Sequence, residues 1–167
     1  MSYYFFRTKF IEIKKILLIL IIFFFYQGSD AAIQVNNLQV QSATNPLGVG
    51  TLVPEFSWQW QTEKRGSFQK AYQILVASSE EKIDRNVGDI WNSEIINNDQ
   101  QLYISYKGKT LQSGKTYYWK VKIWDNHDEV SSWSNRAFFT MGLLKPTDWK
   151  VKWITYDNTK ANSQPIF

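Results

Sequence analysis

The 167-residue chain contains no cysteine. That absence excludes disulfide staples, a thiolate nucleophile, a cysteine metal site and acyl anchoring of the lipoprotein kind, so the fold must be held by its apolar core alone. Histidine occurs once, at His127, which leaves no second imidazole at metal-ligand spacing. Glycine-rich phosphate loops, Ser/His/Asp triads and zinc spacings are missing as well, and no cofactor is expected. The net charge of +4 overstates the basicity. Arg7, Lys9, Lys14 and Lys15 sit at the front beside Glu12 and Asp30, so the remainder keeps 15 of 19 basic and 13 of 15 acidic side chains. A nearly neutral surface supplies no field for nucleic acid, and no nucleic-acid partner is expected.

What is present begins with a targeting segment. The basic front leads into an unbroken apolar run from Ile16 to Tyr26, followed by Gln27-Gly28-Ser29-Asp30-Ala31-Ala32. Small residues after such a run suit a signal peptidase, so residues 1–31 read as a signal peptide cleaved near Ala31. The run is shorter than the roughly 20 residues that span a bilayer. Membrane contact is therefore expected only through this segment, and the mature chain is expected to be secreted or periplasmic.

Beyond it, about 135 residues suffice for one sandwich domain and a short remainder. Aromatic residues make up 17% of the chain, and large rings supply much core area each. The run Leu111–Ile123 alternates strictly after a polar turn at Ser113 and Gly114. Tyr117, Trp119, Val121 and Ile123 fall on one face, and Tyr118, Lys120, Lys122 and Trp124 on the other, which describes a half-buried strand. Tyr117 follows the turn glycine at a spacing that suits a tyrosine corner, a phenol tethering the crossing between two sheets.

Other segments repeat the period of two. Ile33–Val40 reads as a first edge strand. Asn45-Pro46-Leu47-Gly48 is turn chemistry, and Phe56–Trp60 is a strand with Trp58 as the expected core plug. Glu63-Lys64-Arg65-Gly66 reads as a charged hairpin tip. Ala71–Ala77 is apolar enough on both faces to lie centrally. Ser79 caps a single expected helical turn through Glu80, Glu81 and Lys82. Short strands follow at Ile90–Ser93 and Gln101–Tyr106, then a turn at Asp125–Asp128 and a last strand through Ser131–Phe139. Strands at short, regular spacing predict an all-β, antiparallel immunoglobulin/fibronectin III-like sandwich over residues 32–142. Residues 143–167 change character: Asp148–Thr155 starts an alternating strand without a hairpin partner. This tail is expected to be a linker and the first strand of a truncated second β domain, the chain reading as a fragment.

Candidate chemistry is sparse. Glu80 with Glu81, and Asp128 with Glu129, are adjacent acids in turn-like segments where side chains do not converge, so solvated turns are expected. His127 is expected to be a surface turn residue. Trp58 and Trp119 fall on the inward phase. Trp60, Trp91, Trp124 and Trp133 lie at strand ends or on the outward phase, and packing against a neighbouring domain is favoured over sugar stacking. Ser132-Trp133-Ser134 resembles the serine-tryptophan pattern of some fibronectin-type domains, with Lys120, Lys122 and Arg136 as stacking companions. No catalytic, cofactor-binding or metal residue is assigned.

Taken in order, Asn45–Gly48, Phe56–Gln59, Ala71–Ser79, Gly88–Ser93, Tyr117–Asp125, Met141–Leu144 and Asp148-Trp149 with Lys152-Trp153-Ile154 resemble the amino-terminal region of bacterial α-L-rhamnosidases. The resemblance covers essentially the whole mature chain, and its specificity lies in the ordered set. It implies an exported, multidomain glycoside hydrolase that removes terminal rhamnose from plant glycans. It also implies a jelly-roll domain beginning near Trp149 and an inverting pair of carboxylates in a later helical barrel, held about 6.5 to 9.5 Å apart. No position here matches that barrel, so this polypeptide alone is expected to be inactive. Its expected partners are the downstream domains of the parent enzyme, with rhamnose-containing glycans as a further candidate. Two other readings stay open: a stand-alone carbohydrate-binding module, and a fibronectin-type surface interaction domain.

Overall fold

The computed structural model describes residues 33–150; the expected signal peptide lies outside the described residues. In chain order the elements are β1 (Gln34–Val40), β2 (Leu47–Val49), β3 (Glu55–Gln61), β4 (Gln69–Ala77), α1 (Glu80–Asp84), β5 (Trp91–Asn92), β6 (Ile104–Ser105), β7 (Thr116–Asp125) and β8 (Ala137–Met141). A 3₁₀ turn at Pro146–Asp148 closes the described chain. They form a three-stranded sheet, β1-β3-β6, and a five-stranded sheet, β2-β8-β7-β4-β5. All pairings are antiparallel except β2 with β8, which run parallel. The expected sandwich is present, with one parallel edge pair added where the sequence suggested only a turn.

The alternation in β7 explains the core. Its inward residues Tyr117, Trp119, Val121 and Ile123 are all buried, and across the β4 register they meet Tyr72, Ile74 and Val76. From the opposite sheet, β3 inserts Phe56 and Trp58. Phe56 stands edge-on to Trp119 at 4.7 Å and to Phe139 at 5.8 Å, and Trp58 stands edge-on to Tyr72 at 5.2 Å. Offset and edge geometries are those the ring quadrupoles favour. The expected plug at Trp58 is therefore shared with Phe56. The Trp58 indole N–H is satisfied by Gln69 Oε1 at 3.0 Å, which lets a polar ring edge sit inside.

The tyrosine corner forms: the Tyr117 hydroxyl accepts the backbone N–H of Gln112 at 3.0 Å. The cap at Ser79 forms too, its hydroxyl accepting the Lys82 amide. Asn86, at φ 62°, turns the chain out of α1 two residues before Gly88. The central placement of β4 holds because its outward residues Leu75 and Ala77 are covered by Ile83 of α1, with Tyr118 and Trp133 alongside.

Four sequence expectations need correction. Residues 62–68 are not a hairpin tip, since β3 and β4 belong to different sheets and the segment crosses between them. Asn126 holds that crossing by accepting the Phe68 amide and donating to the Gly66 carbonyl. β1 does not alternate cleanly, because Asn37 takes a left-handed φ of 47° and the register slips between Asn36 and Gln39. The last strand begins only at Ala137. Ahead of it, the side-chain hydroxyls of Ser131 and Ser134 accept the β7 amides of Ile123 and Val121, and the Ser131 and Ser134 amides donate back to the carbonyls of those same two residues. Finally, Asp148 closes a 3₁₀ turn rather than opening a strand; the remainder of that expected strand, from residue 151, lies outside the described residues.

Asp89 ties the end of β4 to the start of β5. Its carboxylate accepts the Ser78 amide at 2.9 Å and hydroxyl at 2.7 Å, and Lys82 Nζ at 2.7 Å. Burial alone pushes its pKa up, but the bonds from Lys82 and Ser78 outweigh that and hold it down at about 2. Because the folded pKa lies below the unfolded one, the stabilisation is present above the ordinary carboxyl range and is lost as the pH falls toward about 2. Asp89→Asn is expected to cost about 1 kcal/mol at neutral pH, with the gap from wild type closing below about pH 4, as read from denaturant unfolding at each pH. Tyr117→Phe leaves the Gln112 amide without its acceptor and is expected to cost about 1–3 kcal/mol, measured the same way.

Candidate functional site

The adjacent acids diverge, each toward its own cation. Glu80 pairs with Arg136 at 2.6 Å and Glu81 with Arg85 at 2.7 Å, while Asp128 pairs with Lys70 at 2.6 Å and Glu129 with Lys64 at 2.8 Å. The expectation that they do not converge holds, although they are ion-paired rather than simply solvated. Such exposed pairs contribute little each. His127 is exposed, its amide donating to Asp125 Oδ1 at 2.9 Å. Among the described residues no cluster of three or more His, Cys, Asp or Glu could hold a metal. Buried Asp125 serves the turn itself by accepting the amides of His127 and Glu129.

The tryptophans sort differently from the sequence reading. Trp58 and Trp119 are buried as expected. Trp91, expected to pack on a neighbouring domain, belongs to this domain's own core, edge-on to Tyr106 at 5.2 Å and near Phe56. Trp60 packs half-buried against the same core. Trp133 lies over the Lys122 and Lys120 ammonium groups at 4.7 and 5.5 Å, so two of its three expected companions are confirmed. Arg136 is not the third; it is drawn to Glu80 and Asp84 and fastens α1 to the approach of β8. Lys120 is only 6% exposed. Burial lowers its pKa, Asp84 raises it and Lys122 lowers it again, the net direction being down.

Two surface features were not foreseen. The first is a cleft of about 400 Å³ at the open edges of the sheets, where β5 ends one and β6 the other. Residues 93–103 bridge these edges. Gln69 Nε2 donates to the carbonyls of Asn98 and Gln100, the Trp58 amide donates to Gln101 O, and the Tyr103 amide donates to Ser57 Oγ. Glu94 and Tyr103 bound the strap with left-handed φ values of 54° and 56°, a conformation that bulky residues adopt only when their surroundings enforce it. The cleft is lined by the aromatic residues Tyr72, Trp91 and Tyr103 together with Asn98, Gln100, Ser105 and Lys107. The one signal available in the sequence was the amide-rich run Asn97-Asn98-Asp99-Gln100-Gln101.

The second feature lies where the described chain ends. Leu47 is 79% exposed, and Leu52, Val53, Leu143 and Trp149 are exposed as well. Backbone pairing sets this loop beside the exit: Leu47 and Val49 pair with Thr140 and Met141, and the Gly142 amide donates to Val49 O. The exit itself is tied down, since Ser113 Oγ bonds Asp148 and accepts the Leu144 amide, and Asp148 also accepts the Lys145 amide. Those bonds, the Ser113 one first, lower the Asp148 pKa despite burial.

The family model for the Rha78A-like, N-terminal immunoglobulin domain matches residues 35–145. An alpha-L-rhamnosidase from Formosa agariphila is 37% identical over 142 residues, covering 84% of this chain and 15% of that protein. Among solved structures, the alpha-L-rhamnosidase from Dictyoglumus thermophilum superposes with a TM-score of 0.71 at 40% identity, over 73% of this chain and 14% of that one. The Streptomyces avermitilis alpha-L-rhamnosidase, solved with L-rhamnose, gives 0.70 at 31% identity, over 74% and 12%. The chain thus spans a small part of the length of the proteins it matches.

Trp133→Ala is expected to lower stability by about 2 kcal/mol, through lost cover for Leu75 and Ile83 and lost cation–π contact. Exposing Lys120 should also let its pKa climb back toward the ordinary lysine range, which a lysine NMR titration reads directly.

Proposed function

This chain belongs to the Rha78A-like, N-terminal immunoglobulin domains, and from that premise we propose that it is a non-catalytic accessory module of an exported glycoside hydrolase of the α-L-rhamnosidase kind. The parent reaction is inverting hydrolysis of terminal α-L-rhamnose from glycans or glycosides, carried out by other domains. The module's work is structural support: it presents a rigid face on which the following β domain packs. The carrying observation is the coincidence of the exposed Leu47, Leu52, Val53 and Leu143 with the tied-down exit at Ser113 and Asp148. Exposed apolar side chains on a loop paired to the segment that leaves the sandwich are the ordinary mark of an interdomain contact. The divergence of every adjacent acid pair toward separate cations supports the non-catalytic reading. Export follows from the leader, with processing near Ala31.

Two measurements test this. The purified polypeptide is expected to release no 4-nitrophenol from 4-nitrophenyl α-L-rhamnoside; turnover that persists through purification to homogeneity overturns the accessory reading. In an enzyme carrying this domain, Leu47→Asp with Leu52→Asp is expected to destabilise the whole by about 2 kcal/mol or more while leaving kcat unchanged and the isolated domain's unfolding unaffected. Equal loss in the isolated domain would place these side chains in its own packing instead.

A further inference from the structure

We propose that the cleft between the open sheet edges binds one neutral pyranose residue of a glycan. The proposal leans on the glycoside hydrolase reading only for the choice of sugar, since the chemistry of the cleft stands separately. Its volume of about 400 Å³ falls within the roughly 300–1,000 Å³ of small-ligand sites, which pair aromatic walls with a few polar groups.

A pyranose ring is amphipathic, with C–H faces that stack on aromatic rings and equatorial hydroxyls that both donate and accept. The cleft offers both kinds of partner. Tyr103 is 57% exposed at the rim, while Tyr72 and Trp91 are buried behind it. The Tyr72 hydroxyl, Asn98 Nδ2, Gln100 Oε1 and the Ser105 hydroxyl make no hydrogen bond with another of the described residues, although the same residues are anchored through other atoms. Burial raises the Tyr72 pKa, so its phenol stays a protonated donor.

Gln69, itself fixed by the Trp58 indole, holds the backbone carbonyls of Asn98 and Gln100 in advance, while Asn98 Oδ1 accepts the Gln100 amide and Gln100 Nε2 donates to the Leu102 carbonyl. Less ordering entropy therefore remains to be lost on binding. Among the described residues that line the cleft the one charged side chain is Lys107, at which an acidic sugar would also be tolerated, so the galacturonate arm of the titration separates the aromatic and amide contacts from simple attraction to that cation.

The test is an NMR titration of the purified chain, ¹⁵N-labelled, with methyl α-L-rhamnopyranoside, methyl β-D-galactopyranoside and sodium galacturonate. At least one neutral pyranoside is expected to bind with a Kd on the order of millimolar, shifting the side-chain amides of Asn98 and Gln100. Tyr103→Asn, a residue suited to the left-handed backbone there, should weaken binding about tenfold without changing the melting temperature. Gln100→Ala should weaken it independently of the ring, and Trp133→Ala should leave it unchanged. Absence of neutral-sugar binding, shifts confined to other residues, full affinity in Tyr103→Asn, or binding of galacturonate alone would each overturn the proposal. None of these results bears on interdomain packing, which is read from the Leu47 and Leu52 variants.

Discussion

The edge-on contact between Phe56 and Trp119, with ring centroids 4.7 Å apart, joins the two sheets of this domain. No disulfide crosses between them, since the chain has no cysteine. In many exported sandwiches a disulfide against a buried tryptophan does this work. Here a chain of rings does, running from Tyr106 and Trp91 through Phe56 to Trp119, with Phe139 and Tyr117 beyond. Rings deliver area and geometry together, so the cluster sets the sheet separation as well as the driving force. It also consumes the interior. The buried volume between the sheets holds aromatic and aliphatic side chains, and polar chemistry is displaced to the margins.

What was legible in the sequence followed from periodicity. Tyr117, Trp119, Val121 and Ile123 declare an inward face by spacing alone, and Tyr117 after Gly114 declares its tether. What was not legible depends on where one sheet hands the chain to the other. Residues 62–68 look the same whether they turn within a sheet or cross between two, because both need polar residues and a glycine; only the partner of β4, found in distant β7, decides. The core position of Trp91 is hidden for a related reason: β5 has two residues, too few for a phase to be read. Ser131 and Ser134 escape a pattern search because their hydroxyls serve the β7 amides from a segment with no strand period.

The cleft was invisible for a stronger reason. Its rings come from β4, β5 and the strap, positions far apart in the chain, and its polar groups stand in a run that reads as loop. The strap's left-handed residues, Glu94 and Tyr103, carry no glycine to announce them. Gln69 is what makes the strap part of the domain: one buried amide satisfies the Trp58 indole on one side and two strap carbonyls on the other. A glutamine in a strand gives no hint of that double duty.

The sheet margins carry a consequence of their own. β2, β5 and β6 have three, two and two residues, so three of the four lateral borders expose almost no ladder on which another polypeptide can crystallise its backbone. The fourth, β1, is seven residues long, but Asn37 kinks it midway, which breaks any continuous template. Among the described residues such blunt borders leave aggregation in the β-fibril manner no seam to start from.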